Sequence, residues 1–499
     1  MKWKISKNNQ IIDLNEIPVL NIDELRDEIT RQHRTNKRVV SFFGNNEVCG
    51  VKLYTILADD NNSELLISSS CIEEKGSYLS ITKKIPAFHM FERELYEEFG
   101  IQPLEHPWLK PVRYSHNRFD KTQTIENYPF FQMEGEEVHE VAVGPIHAGV
   151  IEPGHFRFMC NGEKVYHLEI QLGYQHRGVE DLLVKNNNRF MPHLAESIAG
   201  DTVIGHNTAY SNAIESLLNI EISNKASIIR AIALELERIA IHVGDLGAIA
   251  NDIAYLMGNA VFGATRTLVI NTLLEICGSR FGRGLIRIGG VAFDIDGALN
   301  EKISATLDKV LKDVDRMAYA MFTSASVLSR LEKTGTVNKE KAQQVGLVGM
   351  AARASGLSLD SRDDHPWGWY NNLTINKEML ESGDVFARAY IRYKEIKQSI
   401  KIINLLLSQI QLYDNDILLV KSEDLLSKNS MVVSIVEGWR GEILHTVLTD
   451  NEGRISKYKI KDPSFNNWYG LALAVRNNGI SDFPLCNKSF NLSYCGNDL

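Results

Sequence analysis

Ser227-Ile-Ile-Arg-Ala-Ile-Ala-Leu-Glu-Leu-Glu-Arg-Ile-Ala-Ile-His-Val-Gly-Asp-Leu-Gly-Ala-Ile-Ala250 is the stretch that decides the fold. Ile228, Ile232, Leu236, Ile239 and Val243 recur at three- and four-residue spacings. One continuous apolar stripe of that length predicts a long helix packed on a core. Further along, Asn300 to Leu331 and Asp384 to Ile410 read as helices too, so the middle of the chain is helical. Strands flank it. Val141 to Val143, Phe156 to Cys160 and Val165 to Leu172 are β-like, with Asn161-Gly162 as a hairpin turn. Met431 to Glu437 and Gly441 to Thr449 form a strand pair around the tight Gly438-Trp439-Arg440. Residues 1 to about 120 read as a separate small α/β unit. Its helices are Asp23 to Gln32 and Ala87 to Phe99, the second stopping at the cap glycine Gly100. Its strands are Arg38 to Gly44, Val51 to Ala58 and Glu64 to Ser69. Pro103, Pro107 and Pro111 then break regular structure, and Ser115 to Glu136 is polar and linker-like.

The 499 residues suffice for two or three domains. With 54 basic and 63 acidic side chains the net charge is −9. That argues against nucleic acid as the main partner, since phosphate binding needs a basic surface. No run of about 18 apolar residues stands out, so no membrane-spanning segment is expected. The lysine-rich start lacks the apolar core of a secretory signal. Cys49, Cys71, Cys160, Cys277, Cys486 and Cys495 are scattered, which fits a reducing cytoplasm and buried thiols rather than disulfides.

Phe91-Glu92-Arg93-Glu94-Leu95-Tyr96-Glu97-Glu98-Phe99-Gly100-Ile101 could be a charged surface helix with i,i+4 pairs. All eleven residues, however, resemble the signature of the C subunit of bacterial NADH:quinone oxidoreductase, respiratory complex I. The motifs that follow extend the resemblance. They are Gly144-Pro145-Ile146-His147, Glu152-Pro153-Gly154-His155, Gly173-Tyr174-Gln175-His176-Arg177-Gly178, Gly205-His206-Asn207-Thr208-Ala209-Tyr210, Glu235-Leu236-Glu237-Arg238-Ile239, Ala352-Arg353-Ala354-Ser355-Gly356, Gly383-Asp384-Val385-Phe386-Ala387-Arg388 and Arg440-Gly441-Glu442. In this order they resemble the large subunit that complex I (its D subunit) shares with the membrane-bound, energy-converting [NiFe]-hydrogenases. C-like and D-like parts fused in one chain are similar to formate-hydrogenlyase-type hydrogenases. The resemblance implies an α+β protein. A small N-terminal α/β domain over 1–120 and a linker over 121–139 would precede a large, mainly helical [NiFe]-hydrogenase large-subunit-like domain over 140–499.

The pattern departs where the metal should be. Nickel and iron in that family are held by two Cys-x-x-Cys pairs, because soft thiolates suit the low-valent metals. Residue by residue, the first pair falls on Ala199 and Thr202 and the second on Ser493 and Gly496. Cys495 is one position off, and Cys486 is ten residues from a ligand position. Hydrogenase activity is therefore not expected, and the chain ends at Leu499 without the tail that nickel hydrogenases cleave. Complex I uses the vacated space for a quinone, held by a tyrosine and a loop histidine; the tyrosine position matches Gly200 here.

What remains is chemistry of protons and polar contacts. By the resemblance, Glu152 matches the glutamate that passes protons to the hydrogenase metal site; alternatively it is a solvated strand-edge residue. His147 and His155 lie near it in a Gly/Pro-rich loop, as relay members or as surface histidines. His206 would face the same cleft or serve as a hydrogen-bonding core histidine. Arg440 matches the arginine that leans over the metal centre, where its planar fork orients an anion or carbonyl; otherwise it is a turn arginine paired with Glu437 or Glu442. Asp201 and Asp252 are further acids, read as structural. The site expected from sequence is Glu152, His155, His206 and Arg440 as acting groups, with His147 and Gly200 at the acceptor. No Gly-x-Gly-x-x-Gly follows a strand, so NADH oxidation would belong to another subunit. The resemblance implies a peripheral subunit at the cytoplasmic face of the cell membrane that binds no cofactor of its own. Its partners would be a small subunit carrying a [4Fe-4S] cluster, a ferredoxin-like subunit and an antiporter-like membrane arm, and it would pass electrons to a quinone or similar acceptor. The alternative is a non-catalytic scaffold coupling the iron–sulfur subunit to the membrane arm.

Overall fold

The computed structural model of the chain describes residues 2–147, 151–185, 191–422 and 425–499. The N-terminal sheet is built from Arg38–Glu47, Gly50–Asp59 and Glu64–Ile72, antiparallel throughout. Lys4–Ser6 pairs antiparallel and Val19–Leu20 parallel with the last of these. Successive side chains leave a strand on opposite faces. Phe42, Leu53 and Leu57 share one core with Leu25 and Ile29 of the helix Ile22–Arg34 and with Phe91 and Leu95 of the helix His89–Phe99. Val40, Tyr54, Ile56 and Ile67 belong to another, with Met431, Val433, Ile435 and Leu444 from the far end of the chain. A sheet buried on both faces takes mainly apolar strands, and the small hydroxyl residues Ser41, Thr55, Ser68, Ser69 and Ser70 are buried among them.

The C-terminal partner sheet runs Ile455–Lys461, Glu442–Thr449, Ser430–Glu437 and Ile12–Asp13, in that order. Its edge strand thus comes from the N-terminus. Between the two ends lies the helical body. Asn224–Asp252 is buried on almost every side, beneath Leu256–Cys277 and Val385–Ile410. A third sheet, Val138–Val143, His155–Asn161 and Lys164–Gln171, packs on Pro463–Val475, and Gly162 turns its hairpin at φ 55°. The α+β class is as expected.

Several expectations are corrected. Cys49 and Cys71 form a disulfide, because the Gly50–Asp59 and Glu64–Ile72 pairing brings their Cα atoms to 6.1 Å; the other four cysteines are buried thiols. The stretch 115–136, read as polar and linker-like, is mostly exposed but is tied to the third sheet around Tyr128. The Tyr128 hydroxyl donates to Glu169 Oε1 (2.9 Å) and the Phe131 N–H to Glu169 Oε2 (2.6 Å). Asn300 to Leu331 is not one helix: Gly297–Phe322 ends at Thr323, and Ala325–Leu331 starts anew. The charges of His89–Phe99 do not pair along their own helix. Glu94 and Glu98 reach Lys459 (2.6 Å) and Lys457 (2.5 Å) of the C-terminal sheet, and Glu92 receives the Ser80 hydroxyl and the Ile81 N–H. Among the described residues, one helix, Leu256–Cys277, is long and apolar enough to cross a membrane by length and composition; 44% of the qualifying window is buried in the helical body.

Candidate functional site

The two altered motifs meet. Ala199 and Thr202 occupy the loop before the helix Val203–Leu218, whose first amides need outside acceptors. The Glu237 carboxylate supplies them, receiving the Ile204 N–H at 2.7 Å and the Gly205 N–H at 3.2 Å. Burial pushes the Glu237 carboxyl up to about 8. Ser493 caps the terminal helix Tyr494–Asp498, its Oγ accepting the Gly496 N–H at 2.9 Å. Arg177 ties the two segments by donating to the carbonyls of Ser197 (2.6 Å), Ile198 (3.0 Å) and Cys495 (3.5 Å).

Arg440 closes the space between them. From the turn after Ser430–Glu437 it donates to both Asp201 oxygens (2.6 and 2.7 Å), to Thr202 Oγ1 (3.1 Å) and to the Asn491 carbonyl (2.5 Å). Its guanidinium lies 3.9 Å over the Trp439 ring. Gly441 (φ 138°) makes this turn possible by backing onto the Gly349 backbone, where a Cβ would meet Gly349 Cα at 2.7 Å. The alternative pairing of Arg440 with Glu437 or Glu442 does not form, because both acids are already committed. Glu437 takes Arg353 (2.8 Å) and the Ser361 N–H (3.1 Å); Glu442 takes Arg38 (2.5 Å) and Lys461 (2.8 Å). Burial works against the Glu442 carboxylate, but those two cations hold it down at about 2.

These residues do not fit a nickel–iron centre. They offer a methyl group, two hydroxyls and a hydrogen where four thiolates are needed. A Cβ on Gly496 would lie 2.7 Å from Asp462 Cγ, so even the first atom of a cysteine side chain has no room.

The other expected residues divide. Glu152 is half-buried, and its Oε2 accepts the Cys495 N–H at 3.2 Å, which anchors it to the altered C-terminal motif. The Cys495 thiol beside it is pushed up to about 11 by burial. His147 Nε2 is 3.4 Å from the Tyr494 hydroxyl, and the His147 ring meets Phe156 edge-on at 5.4 Å. Gly154 lets Tyr494 in, since a Cβ there would meet the ring at 2.5 Å. His155 is not part of this group. It stands on the opposite face of its strand from Phe156, against Phe130 (5.0 Å) and Arg157. Gly200 is exposed, and a Cβ there would meet nothing within 4 Å, so it offers no group to an acceptor. His206 is fully buried, between Asp462 (3.0 Å) and His445 (3.1 Å). Asp252 lies at the exposed end of its helix.

Comparison with known proteins gives the family and the fold. Residues 252–432 match the family described as respiratory-chain NADH dehydrogenase, 49 Kd subunit, and residues 27–129 match its 30 Kd subunit. The membrane-bound hydrogenase subunit alpha of Pyrococcus furiosus is 31% identical over 367 residues, covering 70% of this chain and 85% of that one. The chain belongs to the large-subunit family shared by complex I and the energy-converting hydrogenases. Hydrogenase-4 component G of Escherichia coli is 27% identical over 446 residues, 85% of this chain and 76% of that protein. The fold is similar to a chain of the archaeal membrane-bound sulfane sulfur reductase, at TM-score 0.68, 21% identity, 73% of this chain and 99% of that one.

Within this large-subunit frame, sequence reasoning gave no role to Asp462, His445, Tyr494 or Glu237, nor to Tyr458, whose hydroxyl is 2.8 Å from His445 Nδ1. Asp462-Pro463-Ser464 carried a legible signal, an Asp N-cap before a proline at the first helical position, and the Asp462 carboxylate does accept the Ser464 N–H at 2.8 Å. His445 lies mid-strand and Glu237 mid-helix, where only the tertiary fold gives them partners.

Proposed function

We propose that the chain is the nickel-free large subunit of a membrane-associated oxidoreductase complex. Electrons would reach it from the cluster of an iron–sulfur partner and pass to a quinone or similar small acceptor at the edge of the altered motifs. Glu152 would supply the protons. The observation that carries this reading is the anchoring of a half-exposed glutamate to the Cys495 amide, inside the motif that lost its ligands. An acceptor taking two electrons must also take protons, and a carboxylate at the mouth of a poorly hydrated site can deliver them. Tyr494 and His147, 3.4 Å apart, offer the hydroxyl and imidazole that Gly200 and His155 do not. Membership in this family supports partners of the expected kinds, an iron–sulfur small subunit, a ferredoxin-like subunit and a membrane arm, and hence a place at the cytoplasmic face. Leu256, Met257 and Leu274 stay exposed on the long apolar helix, with Tyr319 exposed on the neighbouring Gly297–Phe322 helix, as a docking surface would leave them.

A second reading, a scaffold without turnover, is favoured by one observation: the ion pair of Arg440 with Asp201 fills the space between the motifs. Replacement of Glu152 by Gln separates the two. It keeps the size and the amide contact but cannot titrate, so acceptor reduction by the assembled complex falls by about 10²-fold. Glu163→Gln, in the exposed hairpin turn, serves as the control. Unchanged turnover in the Glu152 variant would leave the scaffold reading.

A further inference from the structure

Behind Gly496 runs a chain of four buried groups with an unbroken hydrogen-bond sequence. Asp462 Oδ2 is 3.0 Å from His206 Nε2, His206 Nδ1 is 3.1 Å from His445 Nε2, and His445 Nδ1 is 2.8 Å from the Tyr458 hydroxyl. All four are at most 1% exposed. They come from four elements: the Pro463–Val475 cap, Val203–Leu218, Glu442–Thr449 and Ile455–Lys461.

A carboxylate accepts only, and a neutral imidazole has one donor and one acceptor. With no extra proton, one direction satisfies every atom. Tyr458 O–H donates to His445 Nδ1, His445 Nε2–H to His206 Nδ1, and His206 Nε2–H to Asp462. One added proton is accommodated without loss of any bond. His206 then carries both N–H groups, His445 moves its single proton to Nδ1, and Tyr458 turns from donor to acceptor. Charge favours the addition. Asp462 is a buried anion whose ion-pair partner among the described residues is His206. Arg440 is engaged by Asp201, and Lys461 by Glu442. Protonation takes the hydrogen-bonded unit of four from one net negative charge to none, while Arg440, bonded to Asp201, acts on Asp462 from outside the unit. The other charged and titratable groups facing the chain are Glu237 from the long central helix, Glu180 from Val179–Lys185, and Tyr210, whose hydroxyl has no partner among the described residues.

We infer that Asp462, His206, His445 and Tyr458 form a one-proton store behind the altered metal-site motifs. Its mouth is Asp462. A carbon at the Gly496 Cβ position would lie 2.8 Å from Asp462 Oδ2 and 2.9 Å from Ser493 Oγ, and Ser493 Oγ is 3.4 Å from the Cys495 thiol that adjoins Glu152. The carboxylate therefore abuts the position a ligand side chain would take. The link to Glu152 rests on the function proposed above; the store itself does not.

The test uses the full chain with ring-¹⁵N histidine and long-range ¹H–¹⁵N spectra between pH 5 and 9. The two rings are assigned by their loss in His206→Asn and His445→Gln. The expected result is that His206 gains a second N–H while His445 moves its proton from Nε2 to Nδ1, both with one midpoint. Asp462→Asn should lower that midpoint by at least 1 pH unit. If that variant does not fold, Tyr458→Phe, which leaves the carboxylate and the His206–His445 contact in place, should move the common midpoint while the two rings still change together. A single unchanging form of His206, or independent titration of the two rings, overturns the store. The measurement is made at equilibrium without an acceptor, so its failure and a failure of the Glu152→Gln turnover test are separate results.

Discussion

If Asp462 stands where a ligand side chain once belonged, Gly496→Ala is the sharpest perturbation available. The new Cβ would lie 2.7 Å from Asp462 Cγ, 2.8 Å from its Oδ2 and 2.9 Å from Ser493 Oγ, well inside normal carbon contacts. Asp462 cannot simply swing away. One oxygen receives the Ser464 N–H at 2.8 Å and the other His206 at 3.0 Å. Overpacking a well-filled interior costs about 1–3 kcal/mol. Losing a hydrogen bond to a charged group costs about 1.5–3 kcal/mol. The two are alternatives as much as additions, so about 2–4 kcal/mol is expected for the substitution. Differential scanning calorimetry of the full chain, together with hydrogen exchange of the Val203–Leu218 amides, measures it. Asp462→Ser makes room and keeps a capping oxygen. In that background the contact with Ser493 Oγ remains, but Gly496→Ala should cost at least about 1 kcal/mol less than in the natural chain, a coupling of the size that touching residues show. Equal costs in both backgrounds would refute the claim that the carboxylate holds the position.

Three other outcomes follow from the same geometry. The purified chain carrying Ala199→Cys, Thr202→Cys, Ser493→Cys and Gly496→Cys should still contain no stoichiometric nickel by elemental analysis, since Asp462 and the Arg440–Asp201 pair fill the space. Arg440→Lys should destabilise the loop at Ala199–Thr202 by about 1–3 kcal/mol, read from local hydrogen exchange, because an ammonium cannot make the bidentate contact. Glu442, held at about 2 in the fold against about 4.3 in an unfolded chain, adds stability above pH 4.3 that is lost as pH falls toward 2. The roughly 3 kcal/mol at stake should vanish from the acid limb of denaturant titrations in Glu442→Gln.

Local signals were legible in sequence, and partners across the chain were not. The Ser227 to Ala250 stripe gave the central helix because burial imposes a 3.6 period, and Gly100 ended its helix at φ 69° as a left-handed cap. Alternation along the strand already separated His155 from Phe156, and reading it would have removed His155 from the site. Glu437 looked like a turn residue because nothing local announces Arg353, 84 positions away. The Asp462 to Tyr458 chain was invisible for the same reason: its four members lie in separate elements, and only the packed sheets and helices align their atoms. The Cys49–Cys71 bridge depended on strand register, which composition does not carry.

The strand Ile12–Asp13 completes a sheet whose neighbouring strand begins at Ser430. During synthesis that partner leaves the ribosome more than 400 residues later. At about 5–20 residues per second the N-terminal strand waits roughly 20–80 s with its edge unpaired. The apolar face of the first sheet waits with it, because Met431, Val433 and Leu444 supply its cover. An unpaired edge beside an uncovered face invites pairing with another chain. Folding of this fused polypeptide therefore closes as a ring, first residues on last. A growing chain stalled before residue 430 should be the species that chaperones hold.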